Sequence, residues 1–272
     1  MMAHILNKNR TKMYLTDVFF INNAPEKAEQ QIPLLNRVID QWRYNGQIIG
    51  REIPLFFATQ ENEHGFGVRV VCPEQQSLLP EYNNTEVERA LAAAEKCGLI
   101  FDSFHIVADD INSDSTHQGD EPAWQVLYTT HLQSCSPLHS GDDLTPIPLY
   151  KRLKNIPHLS QDLIKWQENW QACDQLQMNG AVLEQQALHE ISSTDSNLFK
   201  HGYYLTKAIE QHSGIPTYYY LYRVGGESLS AEQNRRCPLC NGKWTQNPPH
   251  LDIFHFKCDQ CRLVSNLSWS WQ

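Results

Sequence analysis

The sequence predicts an α+β chain, on three observations: a β-α-β-β-α-β order in its first part, helical periodicity after a proline-rich stretch, and two close cysteine pairs near its end. Tyr14 to Ile21 is rich in aromatic and β-branched residues and predicts a strand. Ala24 to Tyr44 carries apolar residues at Ile32, Leu35, Val38, Ile39 and Trp42, the three-four spacing of an amphipathic helix, with a kink available at Pro33. Ile53 to Thr59 and Phe66 to Cys72 are strands joined by the turn-rich segment Glu61 to Gly65. Thr85 to Cys97 is a helix with Thr85 as cap, Glu88 completing a capping box and Gly98 as its stop. Leu99 to Val107 makes a fourth strand and Ala123 to Thr130 a fifth, with an acidic, solvated loop over Asp109 to Asp120 between them. This order is the split βαβ arrangement of ferredoxin-like domains, an antiparallel sheet with both helices on one face, assigned to residues 13–131.

Prolines then accumulate (Pro137, Pro146, Pro148, Pro157) and periodicity vanishes, which predicts an extended connector over 132–159. Residues 160–224 form a helical region with one strand. Ser160 caps a helix to about Met178 that Asn179-Gly180 closes, a second helix covers Ala181 to Ile191, and a third runs from a cap at Asp195 to His212. Pro216 to Val224 is the strand, and Gly225-Gly226 hinges it to a last module over 234–272.

The formal charge of −9, from 22 basic and 31 acidic residues, excludes a protein coated in basic surface. From Asn234 onward, however, five basic residues face two acidic ones, +3, against −12 for the rest. No stretch reaches the ~20 apolar residues of a membrane helix, and Met1 to Thr11 lacks the apolar run of a secretory signal. Eight cysteines without an export signal read as reduced thiols plus a metal site, in a cytoplasmic protein.

That metal site has a spacing. Cys237, Cys240, Cys258 and Cys261 form Cys-x2-Cys-x17-Cys-x2-Cys, and each pair sits on a tight turn that brings both sulfurs to one side. Two such turns complete a tetrahedral shell for one structural Zn²⁺, so the module is predicted to be a zinc ribbon, with Gly242 allowing the first turn. Four cysteines fill the shell and leave no position for a catalytic water. Four thiolates on Zn²⁺ carry −2, which reduces the ribbon to about +1. So short a segment cannot bury enough core alone, and the metal should supply much of its folding free energy, on the order of 10 kcal/mol in comparable peptides.

Other candidates are weaker. Cys135, His139 and Asp142 could form a nucleophilic or metal site in the connector. His105 and His131 lie in strand-like runs, and Cys72, Cys97 and Cys173 read as small buried hydrophobes. Tyr218, Tyr219, Tyr220 and Tyr222 could stack bases or pack a core. In the ribbon, Arg235, Arg236, Lys243, Trp244, Lys257 and Arg262 interleave cations with aromatics, as a small nucleic-acid surface would; an apolar docking face is the equal alternative. No phosphate-loop, dinucleotide, metalloprotease, hydrolase or kinase signature is present.

The chain resembles a bacterial family of unknown function described as zinc-ribbon-containing, for which nucleic-acid binding has been suggested. The resemblance rests on Pro146 to Tyr150, Trp166 through Cys173-Asp174, Gly214 to Leu221, Cys237 to Cys240 and Phe256 to Asn266, all in the C-terminal half. It implies zinc at the four ribbon cysteines. Extra cysteines that family members carry before the proline-leucine-tyrosine segment are replaced here by Ser140 to Asp143, so a second metal site is not expected. The expectation is a cytoplasmic, non-enzymatic adaptor that binds RNA, DNA or a nucleoprotein; the alternative is a protein-protein interaction module with a purely structural zinc ribbon.

Overall fold

Aromatic and β-branched residues run almost unbroken through Met13–Asn22, and this segment is strand β1 in the computed structural model, which describes residues 12–111 and 113–271. In chain order there follow α1 (Ala28–Asn45), β2 (Leu55–Gln60), β3 (Glu63–Cys72), α2 (Thr85–Lys96) and β4 (Leu99–Asp110). Next come β5 (Gln125–Leu127), β6 (Leu138–Ser140), α3 (Leu149–Arg152), α4 (Pro157–Asn179), α5 (Glu184–Ser192) and α6 (Asn197–Ser213). The last elements are β7 (Thr217–Leu221), α7 (Leu229–Gln233), β8 (Thr245–His250), β9 (Phe254–Cys258) and β10 (Leu263–Ser265). Met1 to Thr11, read above as carrying no secretory signal, lies outside the described residues. The chain divides into two units; the first runs to Gln118 and adds Ser134–Ser136 and Pro148–Gln161, and the second holds the remainder.

The first unit is a four-stranded sheet in the order β2-β3-β1-β4, with every neighbouring pair antiparallel. The three-four spacing of α1 buries Leu35, Val38, Ile39 and Trp42 together with Val18, Phe20, Val68 and Val70 of the sheet and Val87, Ala90 and Ala94 of α2. Each large side chain in that core contributes about 1.5–3 kcal/mol of burial. Trp42 lies 5.8 Å from the Phe20 ring and 5.4 Å from Phe101. Asn84, rather than Thr85, caps α2: its carbonyl oxygen accepts from Glu86 N at 3.0 Å and Val87 N at 2.9 Å, and its amide donates to Asn45 at 3.0 Å. Thr85 is the first helical residue. Because Asn84 both caps a helix and satisfies a buried Asn45, Asn84→Ala should cost about 2 kcal/mol in urea unfolding. A loss under ~0.5 kcal/mol would contradict that dual role.

The proline-rich stretch is not wholly extended. It carries β6 and the short α3, because Pro148 stands just before α3, where no amide is needed, instead of inside it. Within the first unit the Tyr150 hydroxyl reaches the Glu74 carboxylate and lies 3.0 Å from Ser77 Oγ, and Lys151 pairs with Glu74 at 2.6 Å.

In the second unit six strands form one sheet, β6-β5-β7-β10-β9-β8. β5 is the strand expected over Ala123 to Thr130, yet it joins this sheet and not the first one, pairing Val126 with His139 of β6 and with Tyr218 of β7. β7 runs parallel to both of its neighbours, β5 and β10. Its five residues are all buried. Tyr219 packs between Trp166 at 5.8 Å and Phe199 at 5.0 Å, while Tyr220 packs on Tyr128 at 4.9 Å and Phe254 at 5.9 Å. The tyrosine run is therefore core, because a central strand has neighbours on both faces. α6 is capped by Ser196, whose hydroxyl accepts from Phe199 N at 3.0 Å, and not by Asp195. It ends at Gly214, where φ is 71°.

Candidate metal centre

Two turns position the four sulfurs. In the first, Asn241 N donates to Cys237 O at 2.8 Å and Cys237 N donates to Gly242 O at 3.0 Å. The left-handed position is Asn241, at φ 57°, and not Gly242, since asparagine tolerates that region. Gly242 serves by lacking a side chain: a Cβ there would stand 3.2 Å from Cys240 Sγ. In the second, Cys258 closes β9, and Arg262 at φ 52° turns the chain from Cys261 into β10.

All four sulfurs lie within 4.8 Å of one another, and Cys240 and Cys258 are 3.7 Å apart. Cys237, Cys258 and Cys261 are buried and Cys240 is half-buried. The group could hold a metal ion, and its donors are sulfur alone. A backbone hydrogen bond at Gly242, followed by the Cys261 thiol, lowers Cys240 to about 7. Burial pushes the Cys258 and Cys261 thiols up. A dication at the centre would hold all four as thiolates.

Around the second turn lies a network that spacing alone did not reveal. Tyr203 donates to Cys261 O at 2.8 Å. Arg262 donates to Glu210 at 2.9–3.1 Å and to Asp259 O at 2.7 Å. Tyr218 donates to the Asp259 carboxylate at 2.6 Å, and Lys257 donates to the same carboxylate at 2.5 Å and to Tyr218 Oη at 3.1 Å. The Lys257 ammonium also sits over the Tyr218 and Trp124 rings, 4.5 and 5.2 Å from their centres. Tyr203, Glu210 and Trp124 are remote in sequence from the cysteines and carry no local signal.

These contacts settle where the six basic and aromatic candidates stand. Trp244 is buried, and its indole donates to Arg235 O at 2.9 Å. Arg235 lies over Phe256 and Trp244, 4.4 and 5.0 Å from their ring centres, and donates to Ser265 Oγ and Asn266 O; burial lowers its pKa to about 10. Lys257 and Arg262 are tied to Asp259 and Glu210. Arg236 and Lys243 are exposed.

Cys135 belongs to the first unit, where burial pushes its thiol up to about 12, with Asp114 and Glu74 adding to the effect. His139 belongs to the second, where burial pushes it down to about 4, and Asp142 accepts from Ala123 N at 3.1 Å. A protonated thiol and a buried neutral imidazole are poor material for nucleophilic catalysis. Of the other candidates, Cys72 is buried, with its thiol pushed up to about 12, while Cys97 and Cys173 are half-buried. His105 is exposed, 3.9 Å from Asp17, and His131 lies 3.3 Å from Asp174. No helix among the described residues is long and apolar enough to cross a membrane.

Three family models match consecutive stretches of the chain, each described as a "Domain of unknown function": residues 13–108 (DUF8589), 119–222 (DUF2310) and 226–271 (DUF8594). An uncharacterized protein of Haemophilus influenzae is 66% identical over 259 residues, 95% of this chain and 99% of its own length. A second uncharacterized protein of the same organism is 64% identical over 200 residues, 74% of this chain and 94% of its own length. No solved structure matches significantly.

Proposed function

We propose, for a chain that belongs to the family of these uncharacterized Haemophilus influenzae proteins, a cytoplasmic, non-enzymatic interaction module in which one structural Zn²⁺ is held by Cys237, Cys240, Cys258 and Cys261. The fit to zinc is geometric. Zn–S bonds of about 2.3 Å in a tetrahedron set neighbouring sulfurs about 3.8 Å apart, and Cys240 and Cys258 are 3.7 Å apart. The two turns and the antiparallel β8-β9-β10 run fit a zinc ribbon, as the C-terminal resemblance implies. The β2-β3-β1-β4 order of the first unit fits the ferredoxin-like class.

One observation favours protein over nucleic acid as the partner: four of the six basic and aromatic candidates, Arg235, Trp244, Lys257 and Arg262, make internal contacts. Apolar side chains are exposed instead, Leu239 on the first turn and Trp269 and Trp271 at the end of the chain. Nucleic-acid binding keeps one support, the exposed Arg236 and Lys243. Purified protein should carry about one zinc per chain and bind single- or double-stranded RNA and DNA no tighter than about 10⁻⁴ M at low salt. Micromolar, salt-sensitive binding that vanishes in Arg236→Ala/Lys243→Ala would give the role to nucleic acid. Absence of zinc would end the ribbon reading.

A further inference from the structure

Between the C-terminal half of α4 and α5 lies an open cavity of about 480 Å³, a size that takes a ligand or a partner's side chain. Cys173 and Leu176 of α4, Leu183 just before α5, and Ala187, His189 and Glu190 of α5 line it. Met178 and Val182, in the turn between α4 and α5 and its approach, are with Leu183 about three-fifths exposed (58–62%). Leu183 holds φ 54°, a left-handed conformation that costs a residue with a branched side chain about 1 kcal/mol.

No Lys or Arg is among the residues lining this groove; Glu190, whose Oε2 accepts from Leu198 N at 2.9 Å, lines it beside His189, and the exposed Glu184 follows Leu183 in sequence. α4 ends at Asn179 without a basic residue in its last turn, so the carbonyl end of a 23-residue helix has no cation of its own beside the cavity. His189 is paired with Asp195 at 3.6 Å. An apolar slot with a negative rim fits an occupant that is apolar on one side and cationic on the other.

We infer that this groove docks a basic amphipathic segment of a partner protein, with an apolar side chain between Cys173 and Leu183 and Lys or Arg over Glu184, Glu190 and the α4 carbonyl end. The inference names the partner chemistry of the interaction module proposed above and rests on that reading. An acidic segment or a nucleic acid would meet like charge here.

The test uses full-length, zinc-loaded protein and two synthetic peptides of roughly 14 residues, one of Leu and Lys in amphipathic helical register and one with Glu for Lys. Cys173 is a built-in reporter of occupancy, read by mass spectrometry after brief iodoacetamide treatment. The Lys peptide should slow Cys173 alkylation at least about fivefold and bind at least about tenfold more tightly than the Glu peptide. Leu183→Gln and Glu184→Lys, both at exposed positions, should each weaken it about tenfold with zinc content and Tm unchanged. Unprotected Cys173, equal affinity in the variants, or no binding up to about 1 mM overturns the groove, since any contact would then lie elsewhere on an acidic surface. Failure in protein that carries one zinc per chain sinks the groove alone; protein that purifies without zinc and still binds the Lys peptide at the groove sinks the ribbon alone.

Discussion

Given the proposed zinc at the four cysteines, Cys261→Ser should release that ion and loosen the second sheet well beyond residues 234–272. The reason is connectivity. Cys261 stands two residues before β10, whose Leu263 pairs with Tyr219 of β7, and Arg262 O accepts from Tyr219 N at 2.9 Å. Tyr203 of α6 donates to the carbonyl of Cys261 itself. When the ion is lost, three buried or half-buried sulfurs lose their common partner and the turn feeding β10 is released. We expect a loss of at least about 3 kcal/mol, or roughly 10 °C in Tm, because structural zinc contributes more than that in isolated peptides. Hydrogen exchange supplies the discriminating readout: the amides of Tyr219 and Leu221, on the β10 side of β7, should lose protection along with β9. If zinc leaves and β7 stays protected, the ribbon is a separable appendage.

Gly202→Val should be the most damaging small substitution in α6. A Cβ at Gly202 would lie 2.4 Å from both Trp166 Nε1 and Tyr219 Cε2, and those side chains are 1% and 0% exposed. Neither ring has room to retreat, so the helix must move off β7 and uncover both. The expected loss is about 3 kcal/mol or more by urea unfolding. Gly67 is the control. A Cβ there would also clash, 2.2 Å from Phe56, but Phe56 is 43% exposed and can swing into solvent. Gly67→Ala should therefore cost under about 1 kcal/mol. Equal losses at the two sites would mean that available room does not decide the outcome.

What could be read in advance was what repeats locally. The spacing of Leu35, Val38, Ile39 and Trp42 sets the buried face of α1, and two short cysteine intervals brought four sulfurs together. Caps were harder, because Asn84 and Thr85, like Asp195 and Ser196, are adjacent residues of similar capping ability, and backbone geometry chooses between them. Partners across the chain were not legible. Nothing in Gln125–Leu127 says that it belongs beside β7, since a parallel pairing is decided by residues far away. Nor does the composition of residues 234–272 disclose that Arg262 is committed to Glu210, 52 positions earlier. Counting cations in a segment measures charge, and only the fold says which of them reach solvent.

The parallel seam between β7 and β10 has a further consequence. β7 is an uncharged strand, Thr-Tyr-Tyr-Tyr-Leu, and a chain ending at Tyr222 would leave one of its flanks bare. A naked aromatic edge of that kind is a template for other chains. On the proposed zinc site, an ion that pins β10 against that edge would act as a chaperone carried in cis, and the tendency of this protein to aggregate should then track the supply of zinc.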